Sequence, residues 1–357
     1  MSDGTSATDQ KRRANSYDLL RFCAAAAVIV SHHFAISGFA EPPVPVYGED
    51  FGKLAVEVFF TLSGFLICLS LQRTRDPIRF FLARILRVYP NLLAALLSTS
   101  LVTMVFFANY GHWKDHLKYV ARNLLMFIRD VDYVIPGVFQ QSRYPDVNRP
   151  LWSLPAEIHM YILLFCLFWI FRQRHWLAAA MIALLALASL PYAMGSNFHY
   201  RAFDLYQHSR LACFFFSGAL LALFWQRLAP HAPALLALGL LACAAVKYLM
   251  PVDSALNGLT LALIVIPLGS LAIFAFFAKG GDASYGMYIY GWPVQQFCIL
   301  LIPGFWPSLL TALAIATAIG YFTWHLFEKR CMARLSWAAS KGHALLRKPI
   351  DRENPTA

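Results

Sequence analysis

Apolar residues run along this chain in stretches of about twenty, separated by short polar breaks, from Tyr17 almost to the C-terminus. A helix needs roughly 20 predominantly apolar residues to cross the hydrocarbon core of a bilayer. The stretches cover residues 17–37, 54–71, 88–107, 151–171, 176–194, 205–225, 233–250, 256–277, 283–303 and 306–327. They predict an all-α, polytopic membrane bundle of about ten transmembrane helices, forming one domain over residues 16–330. The third stretch is interrupted near its start by Pro90 and the ninth contains Pro293; both are tolerable where neighbours satisfy the freed carbonyls. A polar tail, 1–15, precedes the domain and a basic tail, 331–357, follows it.

Composition points the same way. Of 357 residues, 59% are hydrophobic and 14% charged, against about a quarter charged in a soluble domain. The net charge of +11 is unevenly spread. Lys11, Arg12 and Arg13, the stretch "QRTRDPIRFFLARILR", the loop "RQRH", Arg227, Lys279 and the C-terminal tail all fall on one side of the predicted topology. The positive-inside rule therefore puts both termini in the cytoplasm of a plasma (inner) membrane. The excess suits an anionic inner leaflet, and no motif supports a nucleic-acid role. The first 15 residues lack the pattern of a signal peptide. Seven cysteines are scattered without CxxC or CxxH spacing and read as small apolar residues, not as metal ligands or a disulfide framework.

One long segment breaks the rhythm. Residues 108–149 lie between predicted spans on the outer side, and "LKYVARNLLMFI" within them has apolar residues at helical spacing with basic residues on another face. That pattern fits an interfacial helix. Tyr110, Trp113, Tyr119, Tyr133 and Tyr144 give the segment side chains able to stack on sugar rings, so it reads either as an ordered cap over an acceptor site or as a membrane anchor.

Ionisable residues inside the apolar stretches carry the chemistry, because each is costly there and is by default a functional candidate. Arg21 and His32 stand eleven positions apart on the first helix, which returns to nearly the same face about 16 Å further on. His33 points about 100° away. Asp18, one turn before Arg21, is its expected partner, and a buried Asp–Arg pair with an interfacial histidine is the purely structural alternative. Glu57, on the second helix at the depth of His32, is expected either to orient that imidazole or to snorkel to the interface. Arg84 and Arg87, at i, i+3, suit bidentate phosphate binding or ordinary inside charge. Ser153, Glu157 and Tyr161 share one face of the fourth helix, which brings Glu157 into the outer half beside His32 and Glu57. Trp152, Tyr161 and Arg210 are expected to contact substrate. Ser63 and Gly64 suit close helix packing.

These residues stand in motifs that resemble one family. "YDLLRFCAAAAVIVSHH", "GKLAVEVFFTLSGFLI", "ARILRVYP", "LWSLPAEIHMY", "SYGMYIYGWPVQQ" and the closing "WHLFEK" occur in the order seen in membrane-bound acyltransferase family three, which includes sugar O-acyltransferases. The resemblance runs from about Ser16 to Arg330. It implies transfer of an acyl group, expected to be acetyl, from cytoplasmic acyl-CoA (acetyl-CoA) to a hydroxyl of a sugar, glycan or glycolipid, with no bound cofactor. Arg21 and His32 map onto the family's essential pair, and Arg84 and Arg87 onto its second basic motif. Gly291 stands where many members have His, and Arg149 where Gly is common. Acyl transfer to an alcohol needs a base, oxyanion donors and cations for the CoA phosphates. His32 is the expected base, Glu57 or Glu157 its orienter, and Arg21, Arg84 and Arg87 the phosphate site. A proton-coupled exporter would also use buried His, Glu and Arg, but no internal repeat of transporter type is visible.

Overall fold

A computed structural model describes residues 15–340 apart from 46–47, 75, 172, 196–197, 201–202, 250–254 and 336. Most of both predicted tails, 1–14 and 341–357, lies outside the described residues. The fold is a polytopic helical bundle. Ten long helices are described: α1 (Tyr17–Ser37), α2 (Phe51–Arg73), α3 (Pro77–Phe106), then, after the short α4 (Trp113–Leu124), α5 (Ser153–Ile170), α6 (Arg174–Ala193), α7 (Leu205–Leu228), α8 (Ala232–Leu249), α9 (Ala255–Ser270), α10 (Ser284–Leu301) and α11 (Phe305–Thr323). A π-helical turn, Trp324–Glu328, leads into α12 (Lys329–Ala333). By length and composition seven continuous helical stretches among the described residues can cross a membrane, and one of them, Leu205–Leu249, is α7 and α8 run together. Helix α9 is a shorter apolar helix, and α10 is diluted by three tyrosines and two glutamines.

Two boundaries differ from the apolar pattern. Helix α3 starts at Pro77, eleven residues before the apolar run, because Asp76 caps it by accepting from the Arg79 amide and Pro77 occupies the first turn. Arg79, Arg84 and Arg87 thus ride on the helix and not in a loop. Helix α9 ends at Ser270, and a 3₁₀ run, Ala272–Gly280, takes the place of its expected last turns. Ser16 supports that break: its hydroxyl donates to the Leu271 carbonyl at 2.6 Å and accepts from the Phe274 amide at 3.2 Å.

Helix α2 lies centrally, against α1, α5, α7 and α9. Its closest approach is to α7. A Cβ built on Gly64 would stand 1.8 Å from the Phe215 carbonyl oxygen, and one on Gly218 would stand 2.1 Å from the Thr61 carbonyl oxygen. Backbone therefore meets backbone, as small residues allow in membrane bundles. Gly64→Val is expected to prevent this contact and to cost at least about 1–3 kcal/mol. The check is the yield of monodisperse protein and its thermal stability in detergent. Gly111→Ala, where a Cβ meets nothing within 4 Å, should behave as wild type.

The 108–149 segment is folded onto the bundle. Its helix α4 begins four residues earlier than the expected "LKYVARNLLMFI" and ends at Leu124. His116, Tyr119, Val120 and Asn123 form its buried face, and His116 bonds Ser100 of α3 at 3.0 Å. Further on, Asn148 donates to the Ile289 carbonyl at 2.7 Å and Gln296 to the Tyr144 carbonyl at 2.6 Å, which fastens the segment to α10.

Candidate functional site

The helix ends that carry Arg21, Arg84 and Arg87 meet at one end of the bundle. Arg87 binds Asp282, just before α10, and reaches Glu328 of the π turn at 3.0 Å. Arg21 approaches the same Asp282 carboxylate at 3.4 Å and the Ser284 hydroxyl at 3.4 Å. Asn91 donates to Glu328 at 2.9 Å, and Glu328 is wholly buried. The expected Asp18 partner of Arg21 is thus replaced by Asp282. Arg84 is held differently. It donates to its own helix at the Phe80 carbonyl (3.1 Å), and its guanidinium lies 4.1 Å above the Phe80 ring.

A cavity of about 600 Å³ adjoins this network, with Arg21, Arg73, Arg79, Arg84 and Arg87 among its walls. Glu157, Tyr161, Tyr285 and Ser63 line it as well. Glu157 accepts from Ser63 at 2.8 Å and from Tyr161. It therefore faces the arginine cavity and is not held beside Glu57 as expected. The cavity narrows into a void of about 50 Å³ that shares Arg21, Ser63, Glu157 and Tyr285 with it and adds Ser153 and Tyr288. The Tyr288 hydroxyl donates to the Pro150 carbonyl at 3.0 Å and lies 2.6 Å from the Ser153 hydroxyl.

Beyond Ser153 lies another cavity, of about 480 Å³, lined by Tyr133, Asp146, Arg149, Trp152 and His208. Burial pushes the Tyr133 phenol up to about 12, so it remains a hydroxyl donor at neutral pH. Of the five aromatics expected to face an acceptor, Tyr133 lines this cavity; Tyr119 is wholly buried, and Tyr110 and Trp113 are exposed elsewhere. Tyr144 instead stacks under Arg149, 5.0 Å from the guanidinium. Arg149 is paired with Asp146 at 2.9 Å.

Glu57 and Arg210 form a buried pair at 3.0 Å. The carboxylate expected to orient His32 thus has Arg210 as its partner. Arg210 also binds Gln207 at 3.0 and 3.2 Å and sits 5.9 Å from the Trp152 ring. His32 meets Trp292 edge-on, with ring centroids 5.0 Å apart, and the Trp292 indole donates to the Asp146 carbonyl at 2.8 Å. One indole thereby links the histidine to the wall of the 480 Å³ cavity. The adjacent His33 is bolted in place by Ser308 at 2.9 Å and Gln295 at 3.3 Å. Helix α1 thus carries one structural imidazole and one that makes no hydrogen bond among the described residues.

Sequence reasoning missed three groups. Asp282 and Glu328 lie far from the arginines they bind, although "WHLFEK" flags the second. His159 and His208 are 3.0 Å apart across α5 and α7, and no local spacing connects them.

This geometry can be set beside known proteins. The model of a family described as an acyltransferase domain matches residues 15–325. The chain belongs to that family, acyltransferase family three. A protein of Shigella phage Sf6 named O-acetyl transferase is 29% identical over 343 residues, covering 91% of this chain and 98% of the relative. Nodulation protein 10 of Rhizobium leguminosarum bv. viciae is 26% identical over 345 residues, covering 89% of this chain and 93% of the relative. No solved structure matches the chain significantly. The protein is a multi-pass membrane acyltransferase, and the exporter reading is set aside.

Proposed function

We propose that this acyltransferase moves an acetyl group from cytoplasmic acetyl-CoA to a hydroxyl of a sugar, glycan or glycolipid on the far side of the inner membrane, with both termini cytoplasmic. One observation carries the proposal: the arginine cavity narrows into a void lined by Ser63, Ser153, Glu157 and Tyr288, and the second polar cavity is walled by Trp152, Pro155 and Ala156, neighbours of Ser153 and Glu157 at the same helix start. The arginine cavity takes the donor, because guanidinium groups bind phosphate with charge-assisted hydrogen bonds. The cavity lined by Tyr133, Trp152 and His208 takes the acceptor. The name of the phage relative supports O-acetyl transfer.

In the transfer, the acceptor hydroxyl oxygen attacks the thioester carbonyl carbon. The C–O bond forms, the C–S bond breaks, and the hydroxyl proton leaves through His32 to the departing CoA thiolate. The Ser153 hydroxyl lines the void and is the donor for the oxyanion that develops on the carbonyl oxygen, its proton turning there from Tyr288, whose own proton stays on the Pro150 carbonyl. Arg210, neutralised by Glu57, steadies Trp152 at the acceptor wall. The test is incubation of purified protein with acetyl-labelled acetyl-CoA and isolated cell-envelope glycans. Label should enter a base-labile ester on the glycan and should be absent from a boiled control. Folded protein that neither binds acetyl-CoA nor transfers its label would overturn the reading.

A further inference from the structure

The donor cavity has a larger neighbour that none of the motifs accounts for. A void of about 930 Å³ lies at the same end of the bundle, between the ends of α1, α2, α5, α6, α7 and α9. It shares Leu66 and Arg73 with the 600 Å³ arginine cavity, so the two are contiguous. Its walls combine an aromatic plane, Trp225, with Gln226 and two cations, Arg73 and Arg174. Trp225 is half-buried, and the Phe65 ring meets it edge-on, with planes at 87°. Arg73 and Arg174 have no ion-pair partner among the described residues.

We infer that this void is the nucleotide subsite of the donor: adenine stacks on Trp225, and the ribose 3′-phosphate is bound by Arg174 and Arg73. The inference rests on the acetyl-CoA reading above and extends it. Acyl-CoA is a long, bent ligand whose two chemical halves need different surroundings. The pantetheine arm and pyrophosphate need a cationic channel toward the reacting hydroxyl, which the 600 Å³ cavity offers. The purine needs a flat aromatic partner and amide groups able to meet its ring nitrogens. Trp225 and Gln226 supply these on the side of the shared Arg73 away from Glu157. Base stacking on an aromatic side chain gives affinity that is additive to phosphate pairing. A phospholipid headgroup offers the same phosphate to Arg73 and Arg174 but has no base for Trp225, which is why the nucleotide is the better occupant.

The test uses full-length protein in nanodiscs of zwitterionic lipid, with CoA, adenosine 3′,5′-bisphosphate and 4′-phosphopantetheine as probes. Wild type should bind all three, and the bisphosphate should compete with CoA. Trp225→Leu and Arg174→Gln should each weaken CoA and bisphosphate binding by about tenfold and leave phosphopantetheine binding unchanged. Arg174 is exposed, so its replacement serves if Trp225→Leu fails to fold, and Trp225→Phe should retain most of the affinity. Equal CoA affinity in wild type and folded variants would overturn the subsite and leave the donor reading standing. Failure of wild type to bind either CoA or phosphopantetheine would overturn the donor reading itself. Loss of bisphosphate binding on adding phosphatidylglycerol to the nanodisc would assign the void to lipid instead.

Discussion

His32→Ala is expected to lower acetyl transfer by about 10²–10⁴-fold, the usual contribution of a general base, while the bundle stays folded. The two imidazoles at the end of α1 make the expectation specific. His33 is wholly buried and bound on both ring nitrogens by Ser308 and Gln295, so its removal takes away packing and leaves those partners unsatisfied. His33→Ala should therefore cost about 1–3 kcal/mol of stability and affect rate only as far as folded protein is lost. His32 touches the Trp292 edge and carries no comparable bonds among the described residues, so its loss should spare the melting temperature. Initial rates at saturating acetyl-CoA, set beside thermal melts of both variants, separate the two histidines. A folded His32→Ala protein with near wild-type rate would transfer the base role elsewhere, and Glu157, at the narrow void into which the arginine cavity runs, would be the next residue to replace.

Periodicity of apolar residues made the helices legible. Each of the ten long helices overlaps an apolar stretch, because a membrane span must be apolar along its whole length and few other patterns meet that demand. The boundaries that moved did so for local reasons that hydropathy does not register. Asp76 and Pro77 start α3 on charged residues, and Ser16, distant in sequence, supports the end of α9 by binding the Gly269 carbonyl and, just past the helix, that of Leu271. The candidate residues were also legible, since each is expensive in an apolar setting. Their pairing was not. Helical spacing gives azimuth and depth on one helix but not which neighbouring helix supplies the partner. The sequence therefore suggests Asp18 for Arg21 and Glu57 or Glu157 for His32, where the fold supplies Asp282 to the first and gives Glu57 to Arg210. Glu157 shows the same limit: helical spacing groups it with Ser153 and Tyr161, as in the fold, yet that face turns toward the arginines.

Arg84 and Arg87, one turn apart in a single motif, are expected to fail in opposite ways. Arg87→Ala should cost about 3–5 kcal/mol of stability, because it strands two buried carboxylates. The Asp282 side chain is 9% exposed and that of Glu328 is 0% exposed. Through them Arg87 ties α3 to the start of α10 and to the turn after α11, while Arg21 of α1 shares Asp282. Lysine should rescue only part of this, since a point charge cannot serve two carboxylates as a planar fork does. Adding Glu328→Gln to Arg87→Ala should recover some stability, because it removes one stranded charge. Among the described residues Arg84 makes no ion pair of this kind. Its contacts are with Phe80 of its own helix, so Arg84→Ala should melt within about 0.5 kcal/mol of wild type. It should nonetheless weaken CoA binding by roughly tenfold or more, the loss of one charge-assisted hydrogen bond. Thermal melts in detergent together with calorimetric CoA titrations measure both quantities on the same preparations. If Arg87→Ala melts like wild type while losing CoA, the arginine serves the ligand and the carboxylate network does not hold the helices together. If Arg84→Ala keeps full CoA affinity, the phosphates are bound by the remaining arginines of the cavity.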